Sequence, residues 1–463
     1  MPARTNSCAI CRKKRIKCDA TLPECHMCIK FGRKCPGPTN GPIIVDMTET
    51  AKLVSKKKSK AKRDGSQVVV ELFPQEILTG MTIQISQRNA MNEVFYGHFL
   101  AYFTTTGESN DIRNRQTWLH RLPDLSVDGS NAALNLALQA TASAFSSMKT
   151  MNPSLLRDAC NLYWKALANH SHVLRTKREI TVHTVSTSVL LSLFEAMNAT
   201  TARAYREHIN GAAELIRLAG PWQCIYGVLC QVFFHIRTQM AFVYLTTRQE
   251  DKNSVCAEEI LRGTLSYDRL PIFQRLIGHI TKLTSIYLDL DDNDDGMQLA
   301  QLLYLDEYLR IKGEVDALWV EYEQAAEDQG ESLFWTALDG VTEYRDSYTA
   351  LCIAYFASAR VLFSVLSPRL AVSFLDLRDH HQRILDVAGY LTTFKIGCAF
   401  MRMATPLYLV AMHAEKEEQR IEATMIFERW KMCGLGGISA MALESIHRRK
   451  RSRMDEVDAG LVF

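Results

Sequence analysis

Proline is scarce over most of this 463-residue chain: six of its twelve prolines precede residue 88, and six serve the remaining 370-odd residues. A long stretch without helix breakers permits long helices. No series of alternating apolar and polar residues marks a sheet, and no short repeat marks a solenoid. G-x-S-x-G, P-loop and G-x-G-x-x-G sequences are absent, which leaves no recognisable catalytic or nucleotide-binding constellation. The N-terminus has no apolar segment with a cleavage site, so the expectation is a reducing compartment. The uncharged stretch Leu218 to Ile236 has the length of a membrane span, but Pro221 and two glutamines favour a buried helix and no membrane partner.

What the chain does have is concentrated at its start. Cys8, Cys11 and Cys18 read C-x2-C-x6-C, and Cys25, Cys28 and Cys35 repeat that spacing. Zinc prefers four tetrahedral ligands and accepts thiolate well. Each half supplies three sulfurs, one short of a closed site. Six thiolates therefore fill the eight positions of two zinc ions when two sulfurs bridge. The duplication makes Cys8 and Cys25 the equivalent pair for that role, with Cys11 and Cys18 completing one metal and Cys28 and Cys35 the other. A single four-cysteine site with two spare thiols and a three-disulfide knot are the other arrangements the spacing permits.

Between Cys11 and Cys18 lie Arg12, Lys13, Lys14, Arg15 and Lys17, five cations in six positions. Sixteen Lys and Arg face four Asp and Glu between Met1 and Arg63, which leaves 38 against 47 for the rest of a chain whose net charge is +3. A basic arm on a neutral-to-acidic body is the charge pattern of a polyanion binder.

The stretch CAICRKKRIKCDATLPECHMCIKFGRKC resembles the binuclear cluster of fungal Zn2Cys6 transcription factors at all six ligand positions, in its basic run and in Pro23. The resemblance implies two Zn2+ ions, double-stranded DNA as partner, a nuclear location and a first helix whose end reads a CGG triplet. The residues matching that helix end are Lys14 and Arg15. A guanidinium fork suits O6 and N7 of guanine, which favours Arg15 for a bidentate contact. Arg12, Lys13, Lys17, Arg33 and Lys34 then fall to phosphate contacts, which position without specifying sequence.

Pro36, Pro38 and Pro42 end the module, and a lysine-rich linker follows with the block Lys56 to Arg63, which reads as a nuclear import signal. Arg448 to Arg453 is a second basic block and a second candidate for the import signal. Val68 to Ile85 lacks a sustained heptad and contains Pro74, so the coiled-coil dimer usual in such proteins is not expected there. A homodimer through the helical body remains open.

Apolar residues recur at helical spacing from Arg88 onward. The expected helices include a face of Met91, Phe95, Phe99 and Tyr102, and a buried run from Ala133 to Ala140 capped by Ser130. Others open at Pro153, stop at Gly220-Pro221, or span Val228 to Phe242, Ala300 to Tyr322, Ser347 to Leu366 and Leu407 to Trp430. His208 to Ala213 with Leu215-Ile216 and Gly220-Pro221, and Pro406-Leu407-Tyr408 with the charged stretch Glu415 to Arg420, resemble the helical regulatory region of the same family. That implies contacts with transcription machinery or co-regulators.

The expected fold is thus a small zinc-stabilised cluster module (1–36), a basic linker (37–87), a large all-α domain (88–447) and a basic then acidic tail (448–463). Asp291 to Gly296 copies half of a calcium loop, but Leu302 stands where a bidentate glutamate is needed, so it reads as an acidic loop. Cys160, Cys224, Cys230, Cys256, Cys352, Cys398 and Cys433 lack ligand spacing and read as reduced core residues. The function these features favour is a sequence-specific DNA-binding regulator, not an enzyme, with activation favoured over repression. The alternative is a helical enzyme or ligand-binding protein whose zinc module is only an interaction platform.

Overall fold

The computed structural model describes residues 8–35 and 93–460, less 15, 20, 22–23, 98, 101–117, 128–130, 177–179, 202, 225–226, 248–269, 293–296, 339, 395–396 and 433. The linker with its basic block and Val68 to Ile85, together with Met91, Tyr102, Arg15, Pro23, Ser130, Cys256, Cys433 and the last three residues of the tail, lies outside the described residues. The chain divides into two units, Met1–Thr82 and Ile83–Phe463.

In the first unit, α1 (Ala9–Lys14) and α2 (His26–Lys30) are six and five residues long. Helices of one turn do not persist in water on propensity alone. Their apolar neighbours are the cysteines themselves, with Ile10, Ile16 and Met27 packed around them.

The second unit is built from helices around one apolar core. Its elements are α3 (Leu122–Val127), α4 (Ala132–Thr150), α5 (Pro153–Thr176), α6 (Val182–Asn198), α7 (Ala204–Ala219), α8 (Gly227–Thr247), α9 (Ile272–Asp292) and α10 (Met297–Glu327). A two-stranded ribbon follows, β1 (Phe334–Thr336) and β2 (Thr342–Tyr344), then α11 (Ser347–Leu366), α12 (His380–Phe394), α13 (Gly397–His413), α14 (Glu417–Met432) and α15 (Gly436–Gly460). The chain is also helical at 93–97 and 99–100, where Phe99 is buried and Phe95 packs against the core.

Among the described residues two helices, α8 and α11, are long and apolar enough to cross a bilayer, yet 61% and 83% of their apolar windows are buried within the protein. Both pack against several neighbouring helices, which is why they read as nearly uniform apolar runs. By contrast α7 buries one stripe, Tyr205, Ile209, Ala212, Ala213 and Ile216, and ends at Gly220, whose φ of 93° only glycine adopts without strain.

Helix α13 carries Pro406 in its interior. Proline has no N–H to give the carbonyl four residues back, that of Arg402. The hydroxyl of Tyr355, a fully buried residue of α11, donates to the Arg402 carbonyl at 2.7 Å instead. The proline is thus accommodated by a hydrogen bond from a neighbouring helix.

The structure departs from the sequence expectations at several points. Helix α4 is capped by Asn131, whose side chain accepts from the Leu134 N–H at 3.2 Å, one residue later than the Ser130 expected. Leu407 to Trp430 is not one helix but parts of α13 and α14, broken at Ala414, whose carbonyl accepts from the Arg420 guanidinium at 2.7 Å. No glycine or proline marks that break. The acidic run does not begin as a loop, because α9 continues through Asp292. The β1–β2 ribbon was not foreseen at all; its three-residue strands pair Phe334 with Tyr344 and Trp335 with Glu343, too short to show alternation.

Helix α15 runs unbroken through residues 447 and 448, where the sequence suggested a tail. Arg449, in the second basic block, donates to the Tyr287 hydroxyl at 2.6 Å and lies 5.7 Å from the centre of its ring. The second basic block is therefore partly engaged with the body.

Candidate metal centre and nucleic-acid interface

Each half of the N-terminal module is organised in the same way around its first cysteine. The Cys8 sulfur accepts from the Cys11 N–H at 3.4 Å, and the Cys25 sulfur accepts from the Cys28 N–H at 3.4 Å. Cys18 Sγ accepts from the Cys8 N–H at 3.3 Å, and Cys35 Sγ accepts from the Cys25 N–H at 3.5 Å. The Cys11 carbonyl accepts from Ile16 N at 3.0 Å, as that of Cys28 does from Arg33 N at 2.9 Å. Contacts of one half thus recur seventeen residues later, so the duplicated spacing folds as a duplicated structure.

The sulfurs converge. Two tetrads, Cys8-Cys11-Cys18-Cys25 and Cys8-Cys25-Cys28-Cys35, each lie within 4.8 Å, and the residues they share are Cys8 and Cys25. Cys8 Sγ is 3.7 Å from Cys25 Sγ and 3.7 Å from Cys28 Sγ, and Cys25 Sγ is 3.8 Å from Cys35 Sγ. A regular tetrahedron with zinc–sulfur bonds of about 2.3 Å has edges of about 3.8 Å. The donor set fits two zinc ions in chemistry and in spacing.

Electrostatics points the same way. Burial pushes the thiols of Cys11, Cys25 and Cys28 up to about 12, because crowded, desolvated sulfurs resist ionising together. Cys8 is lowered, chiefly by the Cys11 backbone N–H. A bound dication reverses this cost and holds thiolates in place, so metal uptake releases protons.

A second anchor escaped the sequence reading. Asp19, the residue after Cys18, accepts from the Thr21 hydroxyl at 2.5 Å, from the His26 backbone N–H at 3.1 Å and from His26 Nδ1 at 2.9 Å. These bonds, Thr21 first and His26 next, hold its carboxyl well below the usual range. They tie the loop between the halves to the first turn of α2. Glu24 supports it by accepting from the Cys35 N–H at 3.3 Å. An acidic residue inside an otherwise cationic segment was the available signal.

Of the expected DNA-facing residues, Lys14, Lys17 and Lys34 are exposed. Arg33 is half-buried, with its guanidinium 5.0 Å from the centre of the Phe31 ring. Arg12 and Lys13 lie on α1, and Arg15 lies outside the described residues. The duplication shows what distinguishes the halves. The position of Lys14 is taken seventeen residues later by exposed Phe31, and that of Arg12 by exposed Ile29. Only the first helix carries cations at both places.

Away from the cluster, Cys224 and Cys352 are buried, and burial pushes both thiols up to about 12. They behave as core residues.

Residues 6–39 match the fungal Zn(2)-Cys(6) binuclear cluster domain, a domain that binds two zinc ions. Over 35 residues the chain is 54% identical to an uncharacterized transcriptional regulatory protein of Schizosaccharomyces pombe, a stretch covering 8% of this chain and 6% of that protein. No solved structure matches the chain.

Proposed function

We propose that this protein is a sequence-specific DNA-binding transcription regulator that reads CGG-type triplets through its N-terminal cluster. The observation that carries the reading is that a cationic helix, α1, starts inside one of two sulfur tetrads sharing Cys8 and Cys25. Cys8 and Cys25 would be shared between the two zincs, with Cys11 and Cys18 completing the ligands of one and Cys28 and Cys35 those of the other. Held through these six sulfurs, the metals would supply the folding free energy that so small a segment cannot draw from apolar burial, and α1 would be fixed for contact with DNA. Lys14 and Arg15 contact guanine edges, while Arg12, Lys13, Lys17, Arg33 and Lys34 contact phosphates.

The helical body serves as the regulatory region, contacting transcription machinery or co-regulators, and the protein acts in the nucleus as an activator rather than as an enzyme. Any dimer forms through the body rather than through Val68 to Ile85.

Binding titrations of Arg15→Ala and Lys17→Ala on CGG and mutated duplexes, across several salt concentrations, test the reading. Arg15→Ala should lose about 1–3 kcal/mol of discrimination at a guanine. Lys17→Ala should weaken all sequences alike and shallow the salt dependence. Equal weakening of every sequence by both would contradict the role given to Arg15.

A further inference from the structure

Far along the chain from the cluster, α10, β1, α11 and α12 line a half-open cavity of about 440 Å³. That is within the size range of small-molecule sites. Three aromatic side chains form its walls: Trp319 from α10, Phe334 from β1 and Phe356 from α11. Trp319 and Phe356 meet edge to face with ring centres 4.9 Å apart, so these walls are rigid.

Three arginines line the same space, and two have carboxylate partners. Arg360 pairs with Asp316, and Arg378 is gripped by both oxygens of Asp376 at 2.7 and 2.8 Å. Arg383 differs. Its guanidinium lies 4.6 Å from the centre of the Phe334 ring, and among the described residues it forms no salt bridge, although Asp386 follows one turn on along α12. The lining carboxylates have other partners: Asp379 takes Lys416 at 2.7 Å and Gln419 at 3.0 Å, and Asp386 takes the Gln382 amide at 3.0 Å. Glu323 sits exposed at the rim.

We propose that this cavity is a binding site for a small planar organic acid, with its ring against Trp319 and Phe356 and its carboxylate on Arg383. An aromatic-lined space with three arginines, of which Arg383 forms no salt bridge among the described residues while the nearby Asp386 is held by the Gln382 amide, matches that chemistry. Arginine is the side chain best shaped to hold a carboxylate in two parallel hydrogen bonds. A neutral ligand of the same outline would fill the walls and leave the fork without an anion.

The test uses the full chain and two probes, 2-naphthoate and its neutral counterpart 2-naphthalenemethanol, titrated by calorimetry. The acid should bind saturably and at least tenfold more tightly than the alcohol, and Arg383→Gln should abolish that preference. In parallel, the chain labelled with 5-fluorotryptophan reports its six tryptophans by fluorine resonance. One resonance should shift on adding 2-naphthoate, and it should be the one missing from Trp319→Phe. Absence of saturable acid binding, equal affinity for acid and alcohol, or a preference surviving in Arg383→Gln would overturn the proposal. So would a shifting resonance that persists in Trp319→Phe, a comparison that decides the matter even if Arg383→Gln does not fold.

Discussion

Cys8 and Cys25 are equivalent residues of a folded duplication: their sulfurs lie 3.7 Å apart, and each accepts the backbone N–H of the residue three places on. Both tetrads pass through this pair. Removing either sulfur therefore depletes both tetrads, whereas removing Cys18 or Cys35 depletes one.

That difference gives the first prediction. Native mass spectrometry of residues 1–40 should show two zinc ions on the unaltered segment. Cys18→Ala should keep more metal than Cys8→Ala or Cys25→Ala. Equal loss from all three variants would leave no distinction between shared and unshared sulfurs.

Tyr355 and Pro406 supply the second. Tyr355→Phe keeps the packing but leaves the Arg402 carbonyl without its donor inside the core. An unsatisfied buried acceptor costs about 1–3 kcal/mol. Chemical denaturation should register that loss, and an unchanged midpoint would show that the proline is tolerated without the bond.

The third concerns helix packing at Gly437, in the first turn of α15. A Cβ there would stand 2.1 Å from the Glu195 carbonyl oxygen and 3.2 Å from Ala196 Cα, both backbone atoms of α6. Gly437→Ala must push two helices apart and should destabilise the body by about 1–3 kcal/mol. Its thermal midpoint should fall accordingly. Replacement of Gly211, which has open space at that point, should not reproduce the effect.

The fourth is a pH dependence. Burial lowers His170 and His208 to about 4, with His170 adding to the effect at His208. Unfolded histidine binds its proton near 6.5. The folded value is the lower one, so this stability is fully present above pH 6.5 and declines as pH falls toward about 4. Each such histidine contributes a slope of at most about 1.4 kcal/mol per pH unit. His170→Gln, which can still meet the Ser188 hydroxyl that lies 2.9 Å from His170, should flatten thermal stability between pH 6.5 and 5. An unaltered slope would assign the dependence to other groups.

How much of this was legible in sequence depends on the range of the forces involved. The cysteine spacing encodes metal chemistry directly, because zinc tolerates few geometries, so the two-zinc reading needed no coordinates. Uniformly apolar runs gave α11 with the observed ends, Ser347 and Leu366. The break after His413 was hidden, since it is marked by no proline or glycine and is held by a long-reaching Arg420. The ribbon at Phe334 was too short to carry a period. The Tyr355–Arg402 bond joins residues 47 positions apart, and no local pattern reports such a partner. Asp19 is a lone acid among cations, and its role depends on folding back onto Thr21 and His26, which no local spacing reports.

The account's central claim is that the metal-organised cluster is what reads DNA. The most direct measurement is fluorescence anisotropy of a CGG duplex and a scrambled duplex against the full chain, before chelation, after it, and during zinc titration. Preference for CGG should vanish with the metal and return in full at two zinc equivalents per chain. A preference that survives complete chelation, or a chain carrying two zincs that binds both duplexes alike, would contradict it.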